Sequence, residues 1–129
     1  MKTSFKLGLL HLLYLVTNCD DDLSHKEITY LNSVLANNDI SEHLLNTFRQ
    51  SLNNSSHEEL YRKGIALLNK CSEEYRLRAI GIIYQMAKSD GQIHPREERL
   101  MLNVGKSIFI EPAKVLQQNK TNNFFAAGA

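Results

Sequence analysis

The stretch Asp90-Gly91-Gln92-Ile93-His94-Pro95-Arg96-Glu97 decides how this chain reads, because it has a counterpart 70 positions upstream, Asp20-Asp21-Asp22-Leu23-Ser24-His25-Lys26-Glu27. Both follow one pattern: Asp, two residues, Leu or Ile, two residues, Lys or Arg, Glu. Outward from these stretches the alignment continues without a gap. Leu7 pairs with Leu77, Tyr14 with Tyr84, Val34 with Val104 and Ile40 with Ile110. Conservative partners fill in between: Phe5 with Tyr75, Lys6 with Arg76, Leu13 with Ile83, Leu31 with Met101. Helical segments share apolar register by chance, so the matched acids carry the argument for an internal duplication.

Each copy reads as helix, short acidic loop, helix, short turn, helix. Start signals for helices are frequent. Ser24 precedes Glu27 and Ser56 precedes Glu59 by three positions, as in a capping box. Ser41 and Ser72 stand before apolar-periodic stretches as N-caps, and Pro95 and Pro112 fit first-turn positions where a missing N–H costs nothing. The spacing predicts about seven helices, over 4–19, 24–37, 42–52, 57–70, 73–89, 95–107 and 112–120. Their expected core stripes are Leu9, Leu10, Leu13 and Val16; Ile28, Leu31 and Leu35; Leu44, Leu45, Phe48 and Leu52; Ile80, Ile83, Met86 and Ala87; and Leu100, Met101 and Val104. The expected fold is all-α: a compact bundle of two pseudo-symmetric three-helix units, roughly 4–52 and 73–120, joined by a linking helix. Neither unit can bury its stripe alone, so residues 1–129 are expected to form one domain. The tail 119–129 is expected to fray, with Phe124 or Phe125 as an anchor.

At 129 residues, one core burying roughly two-thirds of the unfolded surface is attainable without staples. Hydrophobic residues make up 43%, and 15 Lys+Arg oppose 14 Asp+Glu, which excludes a disordered acidic chain and removes the bulk electrostatic case for nucleic-acid binding. The basic residues Arg62, Lys63, Lys70, Arg76, Arg78 and Lys88 read as a solvated face. Tyr61, Tyr75 and Tyr84 read as core edge rather than base-stacking platforms. Two cysteines, Cys19 and Cys71, make neither a disulfide framework nor a zinc quartet, and both read as buried free thiols.

Leu7 to Val16, preceded by Lys2 and Lys6 and followed by Cys19, has the outline of a lipoprotein signal. His11 and Tyr14 interrupt the run, and Asn18 is a poor residue before a cleavage site. The segment is also far short of the roughly 20 residues that cross a bilayer. An amphipathic helix in a cytoplasmic protein is the expectation, with an exported lipoprotein anchored through Cys19 as the alternative.

The acidic loops carry the chemistry. Asp20 and Asp90 follow one helix, Glu27 and Glu97 lie in the first turn of the next, and a tight bend brings such carboxylates within reach of one cation. Gly91 can take positive φ at that bend, and Asp21 is a tolerable substitute. Each loop alone also has a purely structural explanation: Glu27 and Glu97 as capping-box acids, Asp20 and Asp90 closing Asx-turns. Two loops side by side would instead crowd Asp20, Glu27, Asp90 and Glu97, with Asp21 and Asp22 close by. Such a patch needs a hard cation, a basic partner or raised pKa values. Oxygen-only ligands suit Ca²⁺, Mg²⁺ or Mn²⁺ rather than zinc, and the dense Asp/Asn ladder of an EF-hand is absent.

With the doubled pattern and the run Ala87-Lys88-Ser89-Asp90-Gly91-Gln92-Ile93, the chain resembles the tellurite-resistance TerB-like family, roughly from Leu7 to Leu116. The resemblance implies an all-helical fold of two related halves. It also implies an acidic patch for a divalent metal, on a module that works through membrane-linked or stress-response partners. Position by position, the family's acids fall on Asp20, Glu27, Asp90 and Glu97. Cys19 and Ser89 stand where the family usually has Ala, and Asp21 replaces the usual Gly, adding charge to the first loop.

Elsewhere the chemistry is sparse. His11, His25, His43, His57 and His94 form no i, i+4 pair, and no H-E-x-x-H occurs. His25 and His94 flank the acidic loops and read as exposed first-turn residues. No nucleophile elbow, Gly-rich phosphate loop or triad pattern is present. The expectation is a non-catalytic module that binds a cation and a protein partner, with no nucleic acid, no transmembrane segment and membrane association only through partners. The alternative is a metal-free interaction scaffold whose acids are helix caps and partner contacts.

Overall fold

The computed structural model describes residues 3–17, 25–52, 56–88 and 95–120, with residues 17, 25–27 and 118–120 described by their backbone alone. Among these residues there are seven helices and no strand: α1 (Thr3–Thr17), α2 (His25–Asn37), α3 (Glu42–Ser51), α4 (His57–Leu68), α5 (Glu73–Ala87), α6 (Pro95–Ser107) and α7 (Pro112–Lys120). The helix order is the one expected, and α1, α2 and α3 begin 70 positions before α5, α6 and α7.

Local chemistry explains the starts. Ser41, Ser56 and Ser72 sit in extended backbone, and their hydroxyls accept from the N–H groups of Leu44, Glu59 and Tyr75. Pro95 and Pro112 open α6 and α7. Ser24, the remaining capping-box serine, lies outside the described residues.

The stops of α2 and α6 match one another bond for bond. Ile40 N–H donates to Leu35 O at 2.9 Å and Asp39 N–H to Ala36 O at 3.4 Å. The equivalents are Ile110 N–H to Gly105 O at 2.8 Å and Phe109 N–H to Lys106 O at 3.2 Å. These are Schellman caps, whose C′ residue takes the left-handed conformation. Asp39 (φ 54) and Phe109 (φ 62) occupy it. An aspartate visits that region readily; a phenylalanine pays for its Cβ. Phe109 is also 78% exposed, so it recovers little by burial. Phe109→Gly is therefore expected to stabilise the protein by about 1 kcal/mol, read as a higher urea midpoint at unchanged slope. A lower midpoint would show that the ring has contacts that compensate the strain.

One cluster of buried side chains draws on all seven helices. α1 packs against α3, α4 and α5, while α5 also carries α2, α6 and α7. Phe5 and Tyr75 bring the first turns of α1 and α5 together, ring centroids 5.2 Å apart. α1 and α4 approach closely where both lack a side chain: a Cβ on Gly8 would lie 3.2 Å from Gly64 O, and one on Gly64 3.1 Å from His11 Cβ. Polar ties join α4 to α6. The Tyr61 hydroxyl donates to Asn103 O at 3.0 Å and lies 2.7 Å from Ser107 Oγ, and Asn69 Nδ2 donates to Ser107 O.

Most of the expected stripes are buried or half-buried, with instructive exceptions. Ile28 is expected in the core but is 44% exposed; among the described side chains of α2 the buried one is Val34, at 2%. Periodicity locates a face only to within a residue or so, and close packing decides which residue of it is covered. Tyr84, expected at the core edge, is fully buried. Arg76 and Arg78 leave the expected solvated face: Arg76 Nη1 donates to Ile108 O at the end of α6, and Arg78 Nε donates to Asn38 Oδ1 at 3.0 Å. A cation there suits the negative end of a helix dipole.

Candidate functional site

The acidic stretches occupy two helix junctions. α1 ends at Thr17 and α2 begins at His25; α5 ends at Ala87 and α6 begins at Pro95. Asp20 and Asp90 each follow the preceding helix by three residues, and Glu27 and Glu97 are the third residues of α2 and α6. Asp20, Asp21, Asp22 and Asp90 themselves lie outside the described residues, together with Cys19, Leu23, Gly91, Ile93 and His94. Glu27 is described as helical backbone. The Glu97 side chain is half-buried and engaged with its surroundings. Among the described residues, no three His, Cys, Asp or Glu side chains gather closely enough to hold an ion.

Two phenols shifted by burial lie on α2 and α5. The Tyr30 hydroxyl of α2 donates to Ile82 O of α5 at 3.0 Å, and burial pushes its pKa well above the ordinary phenol value. Tyr84 is buried, and its hydroxyl finds no hydrogen-bond partner among the described residues. Burial, and then the Glu98 carboxylate in the first turn of α6, raise its pKa. Both phenols therefore stay protonated at neutral pH. The full burial of Tyr84 has no sequence signal, since its counterpart Tyr14 is half-buried against Phe48, ring centroids 6.0 Å apart.

The histidines separate by environment. His43 and His57 are exposed. His11 is 7% exposed, and burial first, then the charge of Lys63, lower its pKa despite a hydrogen bond to Leu7 O. The sequence presents His11 only as an interruption in an apolar run; Leu7 and Leu15, one turn away on either side, are the signal that it faces inward. The Cys71 thiol is buried and donates weakly to Leu67 O at 3.7 Å, as expected of an inert helix-end cysteine.

The family described as tellurite resistance protein TerB matches residues 6–119, a span that includes both acidic junctions and nearly all of the seven helices. The chain belongs to the TerB family. Neither a curated protein nor a solved structure matches it. The TerB assignment agrees with the resemblance carried by the doubled acidic pattern and with the all-helical fold. No helix among the described residues is long and apolar enough to cross a membrane.

Proposed function

We propose that this TerB-family chain is a non-catalytic cytoplasmic module whose two acidic junctions jointly bind a divalent cation and, once ordered by it, present a docking surface to a protein partner. The observation that carries the reading is positional. Asp20 and Asp90 follow the C-termini of α1 and α5, and Glu27 and Glu97 open α2 and α6 at the same offset. The C-terminal end of a helix is the negative end of its dipole and favours a cation, while a Glu in the next first turn offsets the positive end of the following helix. In this reading the two three-helix units are related by a pseudo-twofold that makes the loops neighbours.

The donor set is carboxylate oxygen, which fits Ca²⁺, Mg²⁺ or Mn²⁺ and disfavours softer ions. Glu27, Glu97, Asp20 and Asp90 would hold the ion, with Asp21 and Asp22 adding charge. Bound cation would neutralise the loops and fix the angle between consecutive helices. A partner then reads the ordered junctions, in a stress-response or membrane-linked setting of the kind the family resemblance implies.

Calorimetry with each of the three ions on wild type and on Asp20→Asn/Asp90→Asn tests this. Saturable binding that the double variant weakens by about tenfold or more is the expected result, since two ligand charges are lost. Absent binding, or binding unchanged in the double variant, leaves the metal-free scaffold, in which Glu27 and Glu97 act as caps.

A further inference from the structure

α3 is held differently from its counterpart α7. α7 lies against both α5 and α6 and inserts Val115, 0% exposed, between them. α3 rests chiefly on α1, and Phe48 is its one buried residue, with Leu44, Leu45 and Leu52 half-buried beside it. Phe48 sits on two rings of α1: His11, with centroids 4.9 Å apart and planes at 69°, and Tyr14. Seventy positions on, His11 and Phe48 correspond to Gly81 and Gln118, so the second half has no such pair.

The His11 ring is a titratable group in an apolar seat. Its Nδ1 lies 2.6 Å from Leu7 O. A carbonyl only accepts, so Nδ1 carries the proton and Nε2 is the basic nitrogen. The groups facing the ring can be named element by element. On α1 they are Leu7 and the phenol of Tyr14; on α3, Phe48, whose helix face of Leu44, Leu45 and Leu52 carries no charge; on α4, the Gly64 backbone and the ammonium of Lys63. Among the described residues none of these is an acid, and the one charge repels a second cation. An imidazolium formed here finds no counter-ion among the described residues and must reach water.

We propose that α3 is an acid-released flap: the neutral His11 ring seats Phe48 on α1, and protonation of Nε2 detaches α3, uncovering the apolar stripe of Leu44, Leu45 and Phe48. This stands apart from the cation reading, since it uses no residue of the acidic junctions. The sign follows from linkage. With α3 seated, His11 titrates below its ordinary value of 6.5; released, it titrates near that value. The seated state therefore keeps its full advantage above pH 6.5 and loses it as the pH falls from there toward the lowered value, with no further loss from this group below that.

Amide hydrogen exchange on the full chain, corrected for the intrinsic pH dependence, reads this directly, with α7 as internal reference. Between pH 7.5 and 5 the protection of α3 is expected to fall several-fold while that of α7 holds, and His11→Leu is expected to remove the α3 response. In parallel, the ring signals of His11, His43 and His57 are followed in wild type by NMR, which needs no variant to fold. A His11 midpoint below those of the two exposed histidines, tracking the loss of α3 protection, supports the flap. A His11 that titrates with the exposed rings, an α3 indifferent to pH, or an α3 response that persists in His11→Leu overturns it.

Discussion

Phe5→Ala is expected to lower the unfolding free energy by about 3–5 kcal/mol. Phe5 is 1% exposed, and its ring meets Tyr75 where the first turns of α1 and α5 come together. Truncation removes the transfer free energy of a whole ring and leaves a cavity that two packed helices cannot close. It also forfeits the tilted aromatic contact, of order 1 kcal/mol by itself. Against a total stability of about 5–15 kcal/mol for a domain of this kind, that loss is a large part of the margin. Urea unfolding followed by helical circular dichroism measures it. Phe5→Leu, which keeps most of the volume, is expected to cost much less, under about 1.5 kcal/mol if the site repacks. A Phe5→Ala loss below about 1 kcal/mol would mean that the first turn of α1 frays from the core.

Gly105→Ala should also destabilise, although helix propensity argues the other way. Alanine gains about 1 kcal/mol over glycine in a helix interior. Yet a Cβ at position 105 would overlap Val115 Cγ2, well inside van der Waals contact. Val115 is 0% exposed and β-branched, so it has one comfortable rotamer and no room to turn. Overpacking of this kind costs about 1–3 kcal/mol, and the clash is expected to outweigh the propensity gain by about 1 kcal/mol or more. The double variant Gly105→Ala/Val115→Ala relieves the contact, so the two changes should couple favourably by about 0.5–3 kcal/mol. Strict additivity would show that α7 is not seated against α6.

The same two residues show how far a sequence can be read. Gly105 lies opposite Leu35 in the duplicated alignment, and nothing in the local string marks it as the point where α7 crosses α6. Its role follows from a distance to a residue in another helix. The helix starts, by contrast, were legible, because serine caps and first-turn prolines act on backbone groups within three residues of themselves. The left-handed residues at Asp39 and Phe109 share the 70-residue offset but have no common residue type, so the cap geometry repeats where the signal for it does not. The candidate site divides in the same way. Residue type and spacing single out Asp20, Glu27, Asp90 and Glu97, and the observed helix ends put them at matching junctions. Tyr84 and His11 owe their burial to neighbours from other helices.

From the sequence alone came the all-helical class, the seven segments, the duplicated order and the family resemblance, since capping and apolar period are short-range effects that act along one chain. Tertiary structure decided the rest: Val34 rather than Ile28 as the inward residue of α2, Arg76 and Arg78 drawn onto carbonyl and amide oxygens, Tyr84 sealed from water, and α3 resting on a histidine. Each depends on which side chain another helix brings opposite. A period of 3.6 residues limits that choice to a face, and only close packing reduces the face to a residue.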